Sequence, residues 1–342
     1  MLSGRLVDKR ERPMVTLEDV AAHAGVSRAT VSRVVNGDSK VKPHTRARVE
    51  AAIQALGYAP HPAARALASS QSHTIGLVTT SYRGGFFGAM MDAVQSEAQR
   101  HGKQLLVTQG RDSAQNERDA ITQLYNLRCD GLLLHVRMLE DDALRALAAA
   151  GRRFVVLDRE VPGLESRCVA FDHRAASVMA TRYLLARGHT SVACLHGPRT
   201  RASSRLRLQG FLDAMQAAGL TPVACLEADY SLQGGYAQMQ ALLAKATPGA
   251  VYCCNEEMAV GAMLAMNEHG LRIGQDISCV CYDSGERADF VRPRLTSVHF
   301  PISEMARFGA RKLLDEECEP QIFMPQMIER DSVKDLAGAG VK

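Results

Sequence analysis

Residues 16 to 37, TLEDVAAHAGVSRATVSRVVNG, leave the chain few options, because two short helical patterns meet there across a single glycine. Val20, Ala21, Ala24, Val26, Val31, Val34 and Val35 recur at helical spacing on either side of Gly25, so the two helices can bury these side chains only against each other. Ser27, Arg28, Ala29, Ser32 and Arg33 are then left facing outward. Such a pair is a helix-turn-helix, and small and basic residues at the start of its second helix suit a DNA major groove. Thr16 followed three residues later by Asp19 reads as a capping box, and Ser27 reads as the cap of the second helix. A third helix is expected from Pro43 to Leu56, with Val49, Ala52, Ile53 and Leu56 as its apolar stripe and Gly57 closing it. Together these give an all-α headpiece over residues 15–59. Charge is placed to match: the first 70 residues hold eleven Lys or Arg against six Asp or Glu, whereas the whole chain nets only +4.

At 342 residues the chain exceeds what one typical core accommodates. Pro60 and Pro62 bracket AARALASSQS, which has helical propensity but is too short to be stable alone, so residues 60–72 read as a conditional hinge helix or linker. From His73 the text alternates strand and helix: IGLVTT, a helix from Phe86 to His101, QLLVTQ, a helix through Leu127, GLLLHV, a helix to Gly151, and FVVLD. That alternation specifies a doubly wound parallel sheet. The rhythm restarts at about Arg167 with CVAFD, SVACLHG, PVACLEA, GAVYCC and ISCVCYD, and the openings HTIGLV (from His73) and HTSVACL (from His189) resemble one another. The expected fold is therefore a helix-turn-helix headpiece plus an α/β core of two doubly wound parallel-sheet lobes over residues 73–333. The first lobe is drawn at about 73–162 and 296–320, the second at about 163–295 and 321–333. Residues 1–14 read as a disordered extension and 334–342 as a frayed tail.

No run of eighteen apolar residues occurs, and the polar N-terminus lacks an apolar signal core, which argues for a cytosolic protein without a membrane partner. The nine cysteines show no metal-ligand spacing of the C-x-x-C kind, and Cys194, Cys253, Cys254, Cys279 and Cys281 fall in strand-like apolar runs, as reduced core residues do. With no nucleophile elbow, phosphate loop, H-E-x-x-H or dinucleotide turn, no catalytic residue, cofactor or metal is expected.

The segments VTLEDVAAHAGVSRATVSRVVNG, YAPHPAARALA, GHTSVACLHGP, RLRLQGF, NEEMAVGAM and PRLTSV resemble the lactose repressor (LacI) family of bacterial transcription regulators over about residues 15–333. VVLDREVPGLESRC and ERDAITQLYNLRCDGLLLHVRML are most similar to its galactose-repressor branch. The resemblance implies a homodimer on a near-palindromic operator and a core like that of periplasmic sugar-binding proteins, acting as a sensor rather than a catalyst. Carried over residue by residue, Arg28 and Ala29 would read base edges, a guanine and a thymine methyl respectively. Thr16, Ser27, Thr30, Ser32, Arg33 and Asn36 would anchor backbone or flanking bases, and Leu67 would wedge into the minor groove. His61 departs from the usual asparagine before the hinge helix, and Lys42 from a usual serine near the third helix start.

In the core, Arg207, Asn255 and Asp283 match positions that bind sugar hydroxyls, and all three are expected at strand carboxyl ends or in the loops beyond. Asp158 and Phe171 match further cleft positions, Tyr230 a stacking aromatic, and Phe86 and Phe87 an apolar wall. Arg205, Arg159, His135 and Arg111 are weaker candidates for tuning specificity, and of these His135 reads as a satisfied strand-end histidine rather than a ligand. The implied effector is a galactose-like hexose or glycoside that releases a repressor from DNA. A purine-type corepressor is the alternative within the family, and a free sugar-transport protein does not explain the headpiece.

Overall fold

The computed structural model describes residues 15–35, 37–58, 72–283, 285–314, 321 and 323–337. The chain divides into two compact units, Met1–His73 and Thr74–Lys342. The expected N-terminal extension, Asn36 and nearly all of the hinge, His61 and Leu67 included, lie outside the described residues.

The first unit holds three helices, α1 (Leu17–Ala24), α2 (Arg28–Val35) and α3 (Pro43–Leu56). The capping box is present: the Asp19 N–H donates to Thr16 Oγ1 at 3.3 Å and the Thr16 N–H donates to Asp19 Oδ2 at 2.8 Å. Gly25 ends α1 at φ 60, a left-handed conformation that glycine adopts without steric penalty. A Cβ there would also meet Arg48 Nη2 at 2.9 Å, the same nitrogen that donates to the Ala24 carbonyl. Ser27 caps α2 by accepting the Thr30 N–H at 3.2 Å, whereas Lys42 gives α3 no side-chain cap. Val20, Ala21, Ala24, Val31, Val34, Val49 and Ala52 are buried together, with Val26, Val35, Ile53 and Leu56 packed partly against them.

The second unit contains two sheets. In the first, β1 (Thr74–Thr79), β2 (Gln104–Gln109), β3 (Leu132–Leu134), β4 (Phe154–Leu157) and β5 (Cys168–Val169) run in the order β2-β1-β3-β4-β5. All its pairings are parallel. In the second, β6 (Val192–His196), β7 (Cys225–Glu227), β8 (Ala250–Cys253), β9 (Ser278–Tyr282), β10 (Thr296–His299) and β11 (Gln326–Ile328) run in the order β11-β10-β9-β8-β6-β7, antiparallel only at β11. β1 and β6 thus hold the same place in their sheets, each flanked by the strand that follows it and by the next one along. The likeness of HTIGLV to HTSVACL falls on these two equivalent strands.

Helices connect the strands: α4 (Gly85–Arg100), α5 (Ala114–Asn126) and α6 (Asp141–Ala149) in the first lobe, and α7 (His173–Ala186), α8 (Ala202–Ala217), α9 (Leu232–Leu243), α10 (Glu256–Glu268) and α11 (Glu286–Phe290) in the second. The last, α12 (Ile302–Leu313), follows β10 but packs on the first sheet. The fit is tight enough that a Cβ at Gly309 would meet Leu157 Cδ2 at 2.6 Å.

Three sequence-based boundaries move. CVAFD does not open the second lobe, since Cys168 and Val169 pair with Val156 and Leu157 and so close the first sheet. Thr296–His299 does not belong to the first lobe, since Thr296, Ser297 and Val298 pair with Val280, Cys281 and Tyr282 of the second sheet. Only α12 returns to the first lobe. The tail also begins later than expected: Lys334 N donates to Ser278 Oγ at 3.0 Å and Leu336 N to the Arg187 carbonyl at 2.9 Å, so these residues are docked. A hydrophobic pattern reports that a strand is buried but not which sheet buries it, which accounts for the first two shifts.

Candidate DNA-reading face and effector cleft

In the headpiece the residues expected outward are outward. Arg28, Ala29, Arg33 and Ser27 are exposed, Ser32 and Thr30 half-buried, and Thr16 exposed beside its cap. Thr16, Ser27 and Thr30 already serve the helix starts, which fixes their orientation. Arg28 Nε lies 3.1 Å from Glu18 Oε1, with both side chains more than half exposed. An ion pair in that setting is weak, so the guanidinium can exchange Glu18 for a base edge at little cost.

The cleft of the second unit arises where the topology says it should. In doubly wound sheets the loops after the first and third strands diverge, opening a crevice at their carboxyl ends. A cavity of about 1100 Å³ sits there, lined from the first lobe by the segments after β1, β2 and β3 and from the second by those after β6, β7, β8 and β9. Four non-glycine residues in these strand-end segments have positive φ: Arg111 at 49, Asp112 at 52, Tyr230 at 67 and Asp283 at 78. Strained backbone of this kind gathers where geometry serves binding.

Phe86, Phe87, Arg207, Tyr230, Asn255 and Asp283 line the cleft. Phe86 and Phe87 meet edge to face at 5.1 Å between centroids, and Phe86 stacks on Phe300 at 5.5 Å. Arg207 comes not from a strand end, as expected, but from within α8. Its guanidinium lies 3.8 Å from the Tyr282 ring centroid, and Nη1 donates to the Cys254 carbonyl at 2.8 Å. No carboxylate of the described residues is within 4.0 Å of Arg207, although it is only 7% exposed. Buried arginines are ordinarily paired with a carboxylate; here Nε donates instead to His173 Nδ1 at 3.4 Å and the guanidinium lies over aromatic rings. Tyr230 donates to or accepts from Ser204 Oγ at 2.6 Å, and its ring fills the space where a Cβ on Gly197 would sit, 2.0 Å away. Asn255 caps α10: Oδ1 accepts the Met258 N–H and Nδ2 donates to the Tyr230 carbonyl, each at 3.0 Å. It therefore holds the Tyr230 loop.

Asp158 and Phe171 do not line the cleft. Asp158 is fully buried between the Nε2 of His173, 2.8 Å away, and the Arg137 guanidinium. Burial alone would raise its carboxyl, but His173 and Arg137 outweigh that and hold it well below the usual carboxylate range. The His173 ring, pushed down by burial, accepts at Nδ1 from the Tyr282 hydroxyl at 2.6 Å, which leaves its proton on Nε2 facing Asp158. Phe171 lies at the crossing between lobes, 5.0 Å from Phe300. Arg159 pairs with Asp141, and Arg205 donates to the Arg199 and Thr200 carbonyls; neither reaches the cavity.

Arg111 does line it, and so does His135. His135 is not satisfied as expected: Arg137 donates to Nε2, while buried Nδ1 has no partner. Sequence reading passed over Arg83, Arg137, Arg201, Asp229, Glu256, Glu257, Arg287 and Phe300, which also line the cavity. Their one signal was position, within a few residues of a strand's carboxyl end or its following helix start. Among the described residues no cluster of His, Cys, Asp and Glu could hold a metal ion, and all eight described cysteines are free.

Comparison with known proteins matches residues 16–61 to bacterial regulatory proteins of the lacI family and residues 72–302 to the periplasmic binding proteins and sugar-binding domain of the LacI family. The chain is 39% identical to the HTH-type transcriptional regulator GalR of Escherichia coli K12, over 94% of this chain and 96% of that protein. It is 35% identical to the HTH-type transcriptional repressor PurR of Vibrio cholerae, over 94% and 99%. A crystal structure of the lac repressor dimer bound to operator and the anti-inducer ONPF superposes with a TM-score of 0.85 at 32% identity, covering 94% of this chain and 99% of that one.

Proposed function

The chain belongs to the LacI family of bacterial regulatory proteins and is a DNA-binding regulator, not an enzyme; we propose that it represses sugar-utilisation genes and is released from DNA by a hexose or glycoside of the galactose type. One observation carries the sugar reading: Arg207 and Asp283 of the second lobe share a cleft with the aromatic Phe86 and Phe87 of the first. Hydroxyls need polar groups of that kind, and the C–H face of a pyranose needs an apolar wall. The similarity to GalR supports the same class.

In this reading two copies bind a near-palindromic operator in the cytoplasm, as the lac repressor dimer binds its operator. Arg28 and Ala29 read base edges, Thr16, Ser27, Thr30, Ser32, Arg33 and Asn36 hold phosphates or flanking bases, and Leu67 enters the minor groove. Sugar and DNA oppose each other through the differing affinity of two core states for the effector.

The test is operator affinity by fluorescence anisotropy at fixed salt, with hexoses, pentoses, glycosides and purines added in turn. A hexose or its glycoside should weaken operator binding. If no sugar changes the affinity while a purine strengthens it, the effector is of the PurR type and the sugar reading is wrong.

A further inference from the structure

The charges of the cleft are distributed unevenly between its two walls. Among the carboxylates that line it, Asp112 alone comes from the first lobe, and Arg201 of the second lobe already binds it at 2.5 Å. The other acids belong to the second lobe: Glu257 pairs with Arg287, Asp229 accepts from Ser231 Oγ at 2.6 Å, Glu256 accepts the Ala288 N–H at 2.8 Å, and Asp283 follows β9. The first lobe presents three arginines: Arg137, which is taken by Asp158, and the exposed Arg83 and Arg111. Neither of the exposed two has a carboxylate of the described residues within 4.0 Å, and Arg111 lies against the Gln109 side-chain amide.

The loops that carry these two arginines are neighbours by construction. Arg83 follows β1 and Arg111 follows β2, strands paired through Thr79 and Gln109, and the Tyr82 hydroxyl donates to the Val107 carbonyl at 3.0 Å, drawing the first loop over the second strand. On the other side of β1, His135 follows β3. Arg137 can only donate, so Nε2 of His135 accepts and its proton sits on Nδ1, where it has no partner. Burial, reinforced by Arg137, holds this imidazole far below the ordinary histidine range, so it is a neutral donor. Thr80 Oγ1, next to it at the end of β1, is likewise buried without a partner. Three adjacent strand ends therefore offer donors, and the one lining carboxylate among them, Asp112, is taken by Arg201.

Building on the sugar reading above, we infer that the effector is an acidic sugar whose anionic group, carboxylate or phosphate, lies against Arg83, Arg111 and the Nδ1–H of His135, while its hydroxyls face Arg207 and Asp283. Guanidinium groups match both kinds of anion with paired N–H donors, whereas a neutral hexose would leave these two exposed arginines to solvent and offer them no charge to bind. On the second lobe the lining arginines Arg201 and Arg287 are taken by Asp112 and Glu257, and Asp283 beside Arg207 suits a hydroxyl donor, which orients the ligand along the cleft.

Isothermal titration calorimetry on the full-length protein distinguishes the cases, with galactose, galacturonate, galactonate, galactose 1-phosphate and inorganic phosphate as titrants. At least one acidic hexose should bind tenfold or more tightly than galactose, with an affinity that falls as salt rises. Preference for the hexuronate or aldonate would identify a carboxylate, and preference for the phosphate ester a phosphate. The double variant Arg83→Gln/Arg111→Gln should bring the acidic sugar to within about threefold of galactose, with unchanged thermal unfolding showing that it is folded. Galactose binding as tightly as every acid, inorganic phosphate binding as tightly as the sugar acids, or a double variant that keeps the preference each overturns this inference and leaves the sugar reading standing. Failure of every sugar to bind overturns both.

Discussion

Nε2 of His173 stands 2.8 Å from Oδ1 of Asp158, joining the end of β4 in the first lobe to the first turn of α7 in the second. The Asp158 carboxylate also holds Arg137, and His173 passes the contact to the Tyr282 hydroxyl, so four side chains form one buried chain across the lobe boundary. What was expected at Asp158 was a ligand contact; what it makes is a tie between the lobes.

Replacing Asp158 by alanine should destabilise the core by about 3 kcal/mol, since it leaves a buried guanidinium without its counter-charge. Differential scanning calorimetry should show the core transition lowered by several degrees. An unchanged midpoint would mean that the tie contributes nothing.

Acid should weaken the core before it weakens most α/β domains. Burial keeps the His135 and His173 pKa values below the ordinary 6.5, so the unfolded chain binds protons there that the folded chain does not. Their contribution is present above the unfolded value and is lost as pH falls below it. The thermal midpoint should drop as pH falls from 7 to 5.5, and His173→Gln should flatten that slope; equal slopes in the variant and the parent would contradict it.

Arg207→Ala should abolish the effector's influence on operator affinity while operator binding itself persists. Gly197→Ala should do the same more mildly, because a Cβ there would displace the Tyr230 ring. Anisotropy with and without effector reads both. Equal loss of DNA binding and effector response in the arginine variant would assign Arg207 a structural role instead.

Arg28→Ala should weaken binding to the operator by about 1–3 kcal/mol, roughly 5- to 150-fold, with little change on unrelated duplexes. A uniform loss on every sequence, with a shallower salt dependence, would instead make Arg28 a phosphate contact.

The headpiece was almost wholly legible in the sequence because its determinants are local. Thr16 and Asp19 cap within three residues, Gly25 and Gly57 stop their helices by left-handed turns, and the valine spacing needs no distant partner. The strands of the core were legible for the same reason, but their ownership was not: Cys168–Val169 and Thr296–His299 are assigned by pairing, which apolar pattern does not encode. At the cleft, Phe86, Phe87, Tyr230, Asn255 and Asp283 stand where their positions after strands suggested. Asp158 and His135 exchanged roles. Both follow a strand of the first sheet, and the placement of His173 and Arg137, which nothing local encodes, closes off the aspartate while the histidine lines the cavity with an idle nitrogen.

Because α12 is made from residues 302–313 yet covers Leu133, Val155 and Leu157, no single cut in the chain yields an intact first lobe. During synthesis its five strands emerge long before the helix that shields them, so this lobe begins first and finishes only after the second sheet's parallel strands have been made. A fragment stopped after Val169 should be aggregation-prone, and a workable isolated lobe requires a permuted chain that brings the last helix beside the strands it covers.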